Sequence, residues 1–245
     1  MRAPNRTIHR VTDPNETTAR IQGHINPPTE AEAGSRYSAL VNNAVLDFIR
    51  TSITAEDVVG RSVLEVGALD VNGSARRVIE PLGPASYVGV DIQEGLGVDR
   101  IVSVSFLVDI FGTEAFDIVV ATEMLEHVQD WRWAVTQLKR VVAPGGVLLV
   151  TTRSPGFHHH GYPHDFWRFT TVDFGRIFAD LQESRVVSDP SSPGVFVVGR
   201  RPAAFEAVIL DDIQIAVSPP PPKGSLAGHA RDVIRRRFHP GSTAV

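Results

Sequence analysis

The chain contains no cysteine, which excludes disulfides, thiolate catalysis and cysteine-ligated zinc while leaving the redox compartment open. Lysine is almost absent, with Lys139 and Lys223 the only two, so the basic set is nearly all arginine. The net charge of −4 provides no broad basic field for a phosphate backbone, and the cluster Arg231, Arg235, Arg236 and Arg237 reads as part of a tail. No nucleic-acid partner is expected. No apolar run approaches the roughly 20 residues of a membrane span, and Met1 to Asn26 is too polar and acid-bearing for a signal peptide. No membrane partner is expected either, and the cytoplasm is the expected location. What is present is 245 residues, 42% hydrophobic, enough for one substantial core and one domain of catalytic size.

Residues 1–34 mix Pro, Asn, Thr and charge without periodicity and read as an N-terminal arm or lid. From Arg36 to Thr51, Leu40, Val41, Ala44, Val45, Phe48 and Ile49 form a helical stripe. Strands are predicted at Ser62 to Val66, Tyr87 to Asp91, Phe116 to Thr122 and Val147 to Thr152. Helices are predicted at Ser74 to Leu82 and after the N-cap Asp130, the latter ended by Pro144-Gly-Gly. Alternating helices and continuously apolar strands argue for a parallel sheet covered on both faces, with ligands at the carboxyl ends of its strands. Ser184 to Asp189 and Gly194 to Gly199 read as a closing antiparallel hairpin. The domain is placed at 35–217, and 218–245, with Pro219 to Pro222, as a stiff linker and tail.

Leu64-Glu65-Val66-Gly67-Ala68-Leu69-Asp70-Val71-Asn72-Gly73-Ser74 is a strand, a glycine turn and a helix start, where backbone amides can meet an anionic group. Tyr87-Val-Gly-Val-Asp91 sets a carboxylate at the tip of the next strand, 24 residues after Gly67, where it can accept from both hydroxyls of a ribose. Only Gly67 and Gly73 are present where a dinucleotide fingerprint needs three glycines, and Glu65 and Asp70 would repel a pyrophosphate. A cofactor with a positive sulfonium and an amino-acid tail meets no such objection, and a nicotinamide dehydrogenase is disfavoured. Further along, Thr122-Glu123-Met-Leu-Glu126-His127 follows an apolar strand. If a helix opens near Glu123, the i, i+3, i+4 spacing puts Glu123, Glu126 and His127 on one side.

Leu64-Glu-Val-Gly67, Tyr87 to Asp91, Phe116 to Val128 and Pro144 to Val150 together resemble the successive motifs of class I S-adenosylmethionine-dependent methyltransferases, in order and spacing across residues 60 to about 180. The resemblance implies a Rossmann-like, doubly wound, seven-stranded and mostly parallel sheet with a C-terminal antiparallel hairpin. It implies S-adenosyl-L-methionine as cofactor, held by Glu65, Gly67, Ala68, Asp70 and Asn72 in the first loop, Asp91 on the ribose and Ile92 against adenine. Ser105, Phe106 and Thr122 would complete that set. Two departures stand out: the usual second glycine of the first loop is missing, and Ser103-Val104 replaces a frequent Asp-Ala pair.

The Glu-x-x-Glu-His segment is also similar to one in small-RNA 2′-O-methyltransferases and ubiquinone-pathway O-methyltransferases, where it helps bind a divalent cation. The resemblance implies a metal set of Glu123, Glu126, His127 and His164, with Mg²⁺ (or Mn²⁺) as the ion. A histidine near the methyl group without any metal is the alternative. A metal-bound His127 could not be the base, so the spare imidazoles of His158, His159 and His160 become candidates; His127, His159 and His160 are the catalytic set. The expected reaction is O-methylation of a small-molecule acceptor. A mono- or oligosaccharide hydroxyl is preferred, since the Arg-rich, Lys-poor chain fits a high-GC bacterium and such organisms methylate many glycans. A phenol or catechol acceptor, or a non-catalytic cofactor-binding module, is the alternative, and a homodimer is open.

Overall fold

A computed structural model describes residues 43–220 except 72, 162 and 163. The N-terminal arm, the tail beyond 220 and Asn72 therefore lie outside the described residues. Residues 43–52 are helical (α1), followed by α2 (Ala55–Val58), β1 (Ser62–Val66), α3 (Arg76–Ile79), β2 (Ser86–Asp91) and β3 (Arg100–Ile101). Then come α4 (Leu107–Phe111), β4 (Phe116–Thr122), α5 (Trp131–Val141), β5 (Val142–Arg153), β6 (Trp167–Arg168), α6 (Thr171–Ile177), β7 (Gln182–Ser188), β8 (Gly194–Arg200) and β9 (Ala216–Val217).

Seven strands form one sheet in the order β3-β2-β1-β4-β5-β8-β7. Neighbours from β3 to β5 are parallel, and β8 alone runs against both β5 and β7. This is the Rossmann-like sheet with the closing hairpin. The strands read as continuous apolar runs because both faces are covered. Successive side chains alternate: Val63, Ile118, Val120, Val147 and Leu149 pack with Val45, Ile49 and Ile79 from α1 and α3. Leu64, Val119, Ala121, Leu148 and Val150 pack with Leu138 and Val141 of α5 and Phe174 and Ile177 of α6. Asp130 caps α5 as expected, its side chain accepting from the Trp133 amide at 3.0 Å.

The helix expected near Glu123 is not there. Glu123 takes φ +53°, a left-handed conformation that ends β4 sharply, and only one 3-10 turn, Leu125–His127, follows. One face therefore cannot carry all three side chains. The sequence reading also missed the two-stranded sheet of β6 and β9. The chain after β8 returns across the domain: Leu210 and Ile213 are buried in the core, and Arg132 donates to their carbonyls at 3.1 and 2.6 Å. No helix among the described residues is long and apolar enough to cross a membrane.

Candidate active site

The β1–α3 loop turns at Gly67, whose φ of +77° suits glycine. A Cβ there would lie 2.8 Å from Cβ of Met124, so the loop and the segment after β4 are in close contact. The amides of Gly67 and Ala68 both donate to the Val90 carbonyl, at 2.9 and 3.0 Å, which carries the loop to the tip of β2. There Asp91 is half-buried, with Oδ2 accepting from Leu69 N at 3.3 Å and Oδ1 from Gln93 N at 2.9 Å. Asp91 thus joins the first loop to the second.

Glu65, expected among the cofactor-facing residues, lies behind the loop instead. It is 1% exposed, and its carboxylate accepts from Ser74 Oγ at 3.0 Å, Ala75 N at 2.9 Å and the Tyr87 phenol at 2.7 Å. Burial raises its pKa against the pull of those three donors. Asp70 is likewise engaged within the loop, by Gly73 N at 2.8 Å and Arg77 Nη2 at 2.6 Å. Ala68 is buried, Ile92 and Phe106 are 65% and 57% exposed, and Thr122 is half-buried at the end of β4. Ser105 is half-buried and its carbonyl accepts from Trp133 Nε1 at 2.9 Å.

Past β4 the expected metal set is not assembled. The Glu123 carboxylate is turned to an ion pair with Arg153 and accepts from Thr151 Oγ1 at 2.8 Å. Burial and the neighbouring Glu126 raise its pKa. His164 is exposed, with its ring against Phe166, and it is its backbone carbonyl that meets His127. The four donors thus do not fit a common Mg²⁺ or Mn²⁺ site. The donors that do converge are Glu126, His127 and His160, within 4.8 Å of one another. Two imidazoles and one carboxylate suit a transition ion better than magnesium, which prefers oxygen.

His127 and His160 meet edge to face with ring centroids 4.7 Å apart. His127 Nδ1 lies 2.5 Å from the His164 carbonyl, which can only accept, so Nδ1 carries the proton and Nε2 the lone pair of the neutral ring. Gly161, at φ +67°, makes this close packing possible, since a Cβ there would fall 2.8 Å from Cε1 of His127. Glu126 is 0% exposed: Oε2 accepts from Thr152 Oγ1 at 2.7 Å, while Oε1 has no hydrogen-bond partner among the described residues. Oε1 faces His127 Nε2 at 4.0 Å and His160 Nε2 at 3.7 Å. Burial would raise the Glu126 pKa, but the imidazoles and Thr152 outweigh it and keep it ionised.

His160 stands between two carboxylates, Glu126 and Asp165. Burial works against its charge, yet they push its pKa up to about 9. It therefore holds its proton near neutral pH and is poorly suited as a base. His159, the third expected imidazole, turns aside: its Nδ1 lies 3.0 Å from the Pro219 carbonyl and 3.4 Å from Asp165. The sequence reading gives no role to Asp165 or Arg168. Only the fold brings them under His160.

Residues 36–178 match the family described as methyltransferase domain. The ubiquinone biosynthesis O-methyltransferase of Rhizobium johnstonii is 30% identical over 131 residues, covering 48% of this chain and 51% of that protein. The chain thus spans about half the length of this curated relative. Among solved structures, an S-adenosylmethionine-dependent methyltransferase from Mesorhizobium loti aligns with TM-score 0.50 and 13% identity, over 66% of this chain and all of that one. The CMeT domain of the citrinin polyketide synthase aligns with TM-score 0.50 and 12% identity, over 70% and 57%. These two share the fold. With its motifs, sheet order and family match in agreement, the chain belongs to the methyltransferase domain family and carries a class I S-adenosylmethionine-dependent methyltransferase domain.

Proposed function

We propose that this methyltransferase acts on a hydroxyl oxygen of a small molecule, with His127 Nε2 as the base. One observation carries the reading: Nδ1 of His127 is committed to a backbone carbonyl, leaving Nε2 as the lone-pair atom of the neutral tautomer, 4.0 Å from Oε1 of buried Glu126. As the acceptor oxygen attacks the sulfonium methyl in line, the C–O bond forms and the C–S bond breaks. The hydroxyl proton would pass to Nε2 of His127, and bound S-adenosylmethionine would supply the methyl and be released as a neutral thioether. The Glu126 carboxylate would stabilise the imidazolium that results. The O-methyltransferase name of the Rhizobium relative supports an oxygen acceptor.

Within hydroxyl acceptors we place a saccharide ahead of a phenol. An alkyl hydroxyl is a far weaker acid than a phenol, whose pKa is about 10, and gains more from a built base. A second reading is favoured by the convergence of Glu126, His127 and His160 donors, which could hold a divalent transition ion at the acceptor oxygen. The test is turnover of radiolabelled S-adenosylmethionine with methyl glycosides, short oligosaccharides and catechols. Label in an ether-linked product supports the reading; no label transferred to any of these hydroxyls by a chain that binds S-adenosylhomocysteine overturns it.

A further inference from the structure

Arg168 spends its donors on a single segment. It is 1% exposed, and Nη1 reaches Asp165 Oδ1 at 2.5 Å and the Trp167 carbonyl at 2.8 Å. Nη2 reaches Asp165 Oδ2 at 2.8 Å and the His158 carbonyl at 2.9 Å, and Nε the Phe157 carbonyl at 3.4 Å. Every acceptor lies within residues 157–167, the segment carrying the histidines. Asp165 passes this constraint on. Its Oδ2 accepts from the His160 amide at 2.7 Å and lies 3.3 Å from Nδ1 of the same residue, so one oxygen bonds the backbone and pairs by charge with the ring. The opposite ring nitrogen is thereby aimed at Glu126.

The frame behind Arg168 is equally fixed. Its strand pairs with β9, Arg168 opposite Ala216, and the Ser218 amide donates to the Phe166 carbonyl at 2.8 Å. The Phe166 amide donates to the Glu126 carbonyl at 2.9 Å, tying the segment to the turn that holds His127. A loop can be anchored by apolar packing at less cost, because desolvating a guanidinium and a carboxylate often cancels their attraction. What the charged pair adds is direction, since a bidentate fork fixes the carboxylate plane and hence the imidazole it holds.

We infer that Asp165, locked by Arg168, is a positioning residue for methyl transfer, holding His160 so that Glu126 Oε1 stays beside His127 Nε2. This rests on the O-methylation reading only for its turnover measurement. The role separates from mere anchoring in a paired variant, Asp165→Leu with Arg168→Met, which removes both buried charges together and leaves neither unpaired. Asp165→Asn serves as the conservative single change.

Both are made in the full chain and followed three ways: S-adenosylhomocysteine affinity by calorimetry, the His160 ring signals by nitrogen-detected NMR, and turnover of methyl α-glucoside and catechol. The expected result is unchanged S-adenosylhomocysteine affinity and altered His160 ring signals. With them, kcat should fall about 10- to 100-fold at unchanged acceptor KM, the loss typical of removing a supporting partner. A paired variant that folds and turns over like the parent overturns the proposal, as does Asp165→Asn with unaltered ring signals. Failure of the parent chain on both acceptors counts against the O-methylation reading. The ring signals, read without any acceptor, still decide whether Asp165 sets His160.

Discussion

The phenol of Tyr87 donates to Oε2 of Glu65 at 2.7 Å, binding the start of β2 to the carboxylate that props the first loop from behind. Arg76 lies over the same ring, 4.4 Å from its centroid, and closes the contact from α3. Tyr87→Phe would leave that buried oxygen one donor short, a cost of about 1–3 kcal/mol that a urea melt would register. A melt unchanged within error would show that solvent replaces the phenol.

The same carboxylate sets a pH dependence. Burial raises the Glu65 pKa in the folded chain, so folding binds its proton more tightly than the unfolded state does. Its contribution to stability is therefore fully present below the ordinary carboxylate value, about 4.3, and lost as pH rises through the raised folded value. Glu65→Gln should flatten that part of the stability profile, measured as urea midpoints at successive pH values. A profile parallel to that of the parent chain would assign the dependence to other groups.

Gly67→Ala should weaken cofactor binding and stability together. The new methyl would sit at φ +77° and 2.8 Å from Met124 Cβ, so the loop or the segment after β4 must move. A loss of roughly 1–3 kcal/mol in stability is expected from strain of this kind. Calorimetry with S-adenosylhomocysteine alongside a thermal melt reads both effects, and retention of both would mean the loop relaxes freely.

Asp91→Ala should reduce S-adenosylmethionine affinity about 10- to 100-fold, the equivalent of losing a charge-assisted hydrogen bond of roughly 1.5–3 kcal/mol. The half-buried site should tolerate the change in the fold. Affinity equal to that of the parent would remove Asp91 from the ribose role.

His127→Asn should lower kcat about 10²- to 10⁴-fold, the usual worth of a positioned base, with S-adenosylhomocysteine affinity unchanged. Dialysis against EDTA should leave parent turnover intact if Nε2 is the base. Loss that is restored by a transition ion but not by magnesium would instead favour the ion held by Glu126, His127 and His160.

The layered fold was legible because it depends on short-range patterns. Val63 and Leu64, like Ile118 to Ala121, place apolar side chains on both faces and so demand cover on both, and Asp130 marks a helix start by its own side chain. Two-residue strands such as β6 and β9 are too short to show a period, and each exists only because the other pairs with it. The ligand set assumed near Glu123 failed for a related reason. Its spacing argument needed a helix, and Glu123 adopts φ +53° instead, facing Arg153.

The amino-acid sequence by itself determined the parallel sheet, the glycine turn after β1, the carboxylate at the tip of β2 and the methyltransferase family, since local periodicity and motif order suffice for these. Only the tertiary structure decided which charged side chains meet. Glu126 finds His160, 34 residues on, and Asp165 finds both His160 and Arg168, through a segment folded back against the turn after β4. Contacts of that kind depend on backbone direction at single residues and on pairing with β9, distant in sequence. Neither leaves a periodic trace in the sequence.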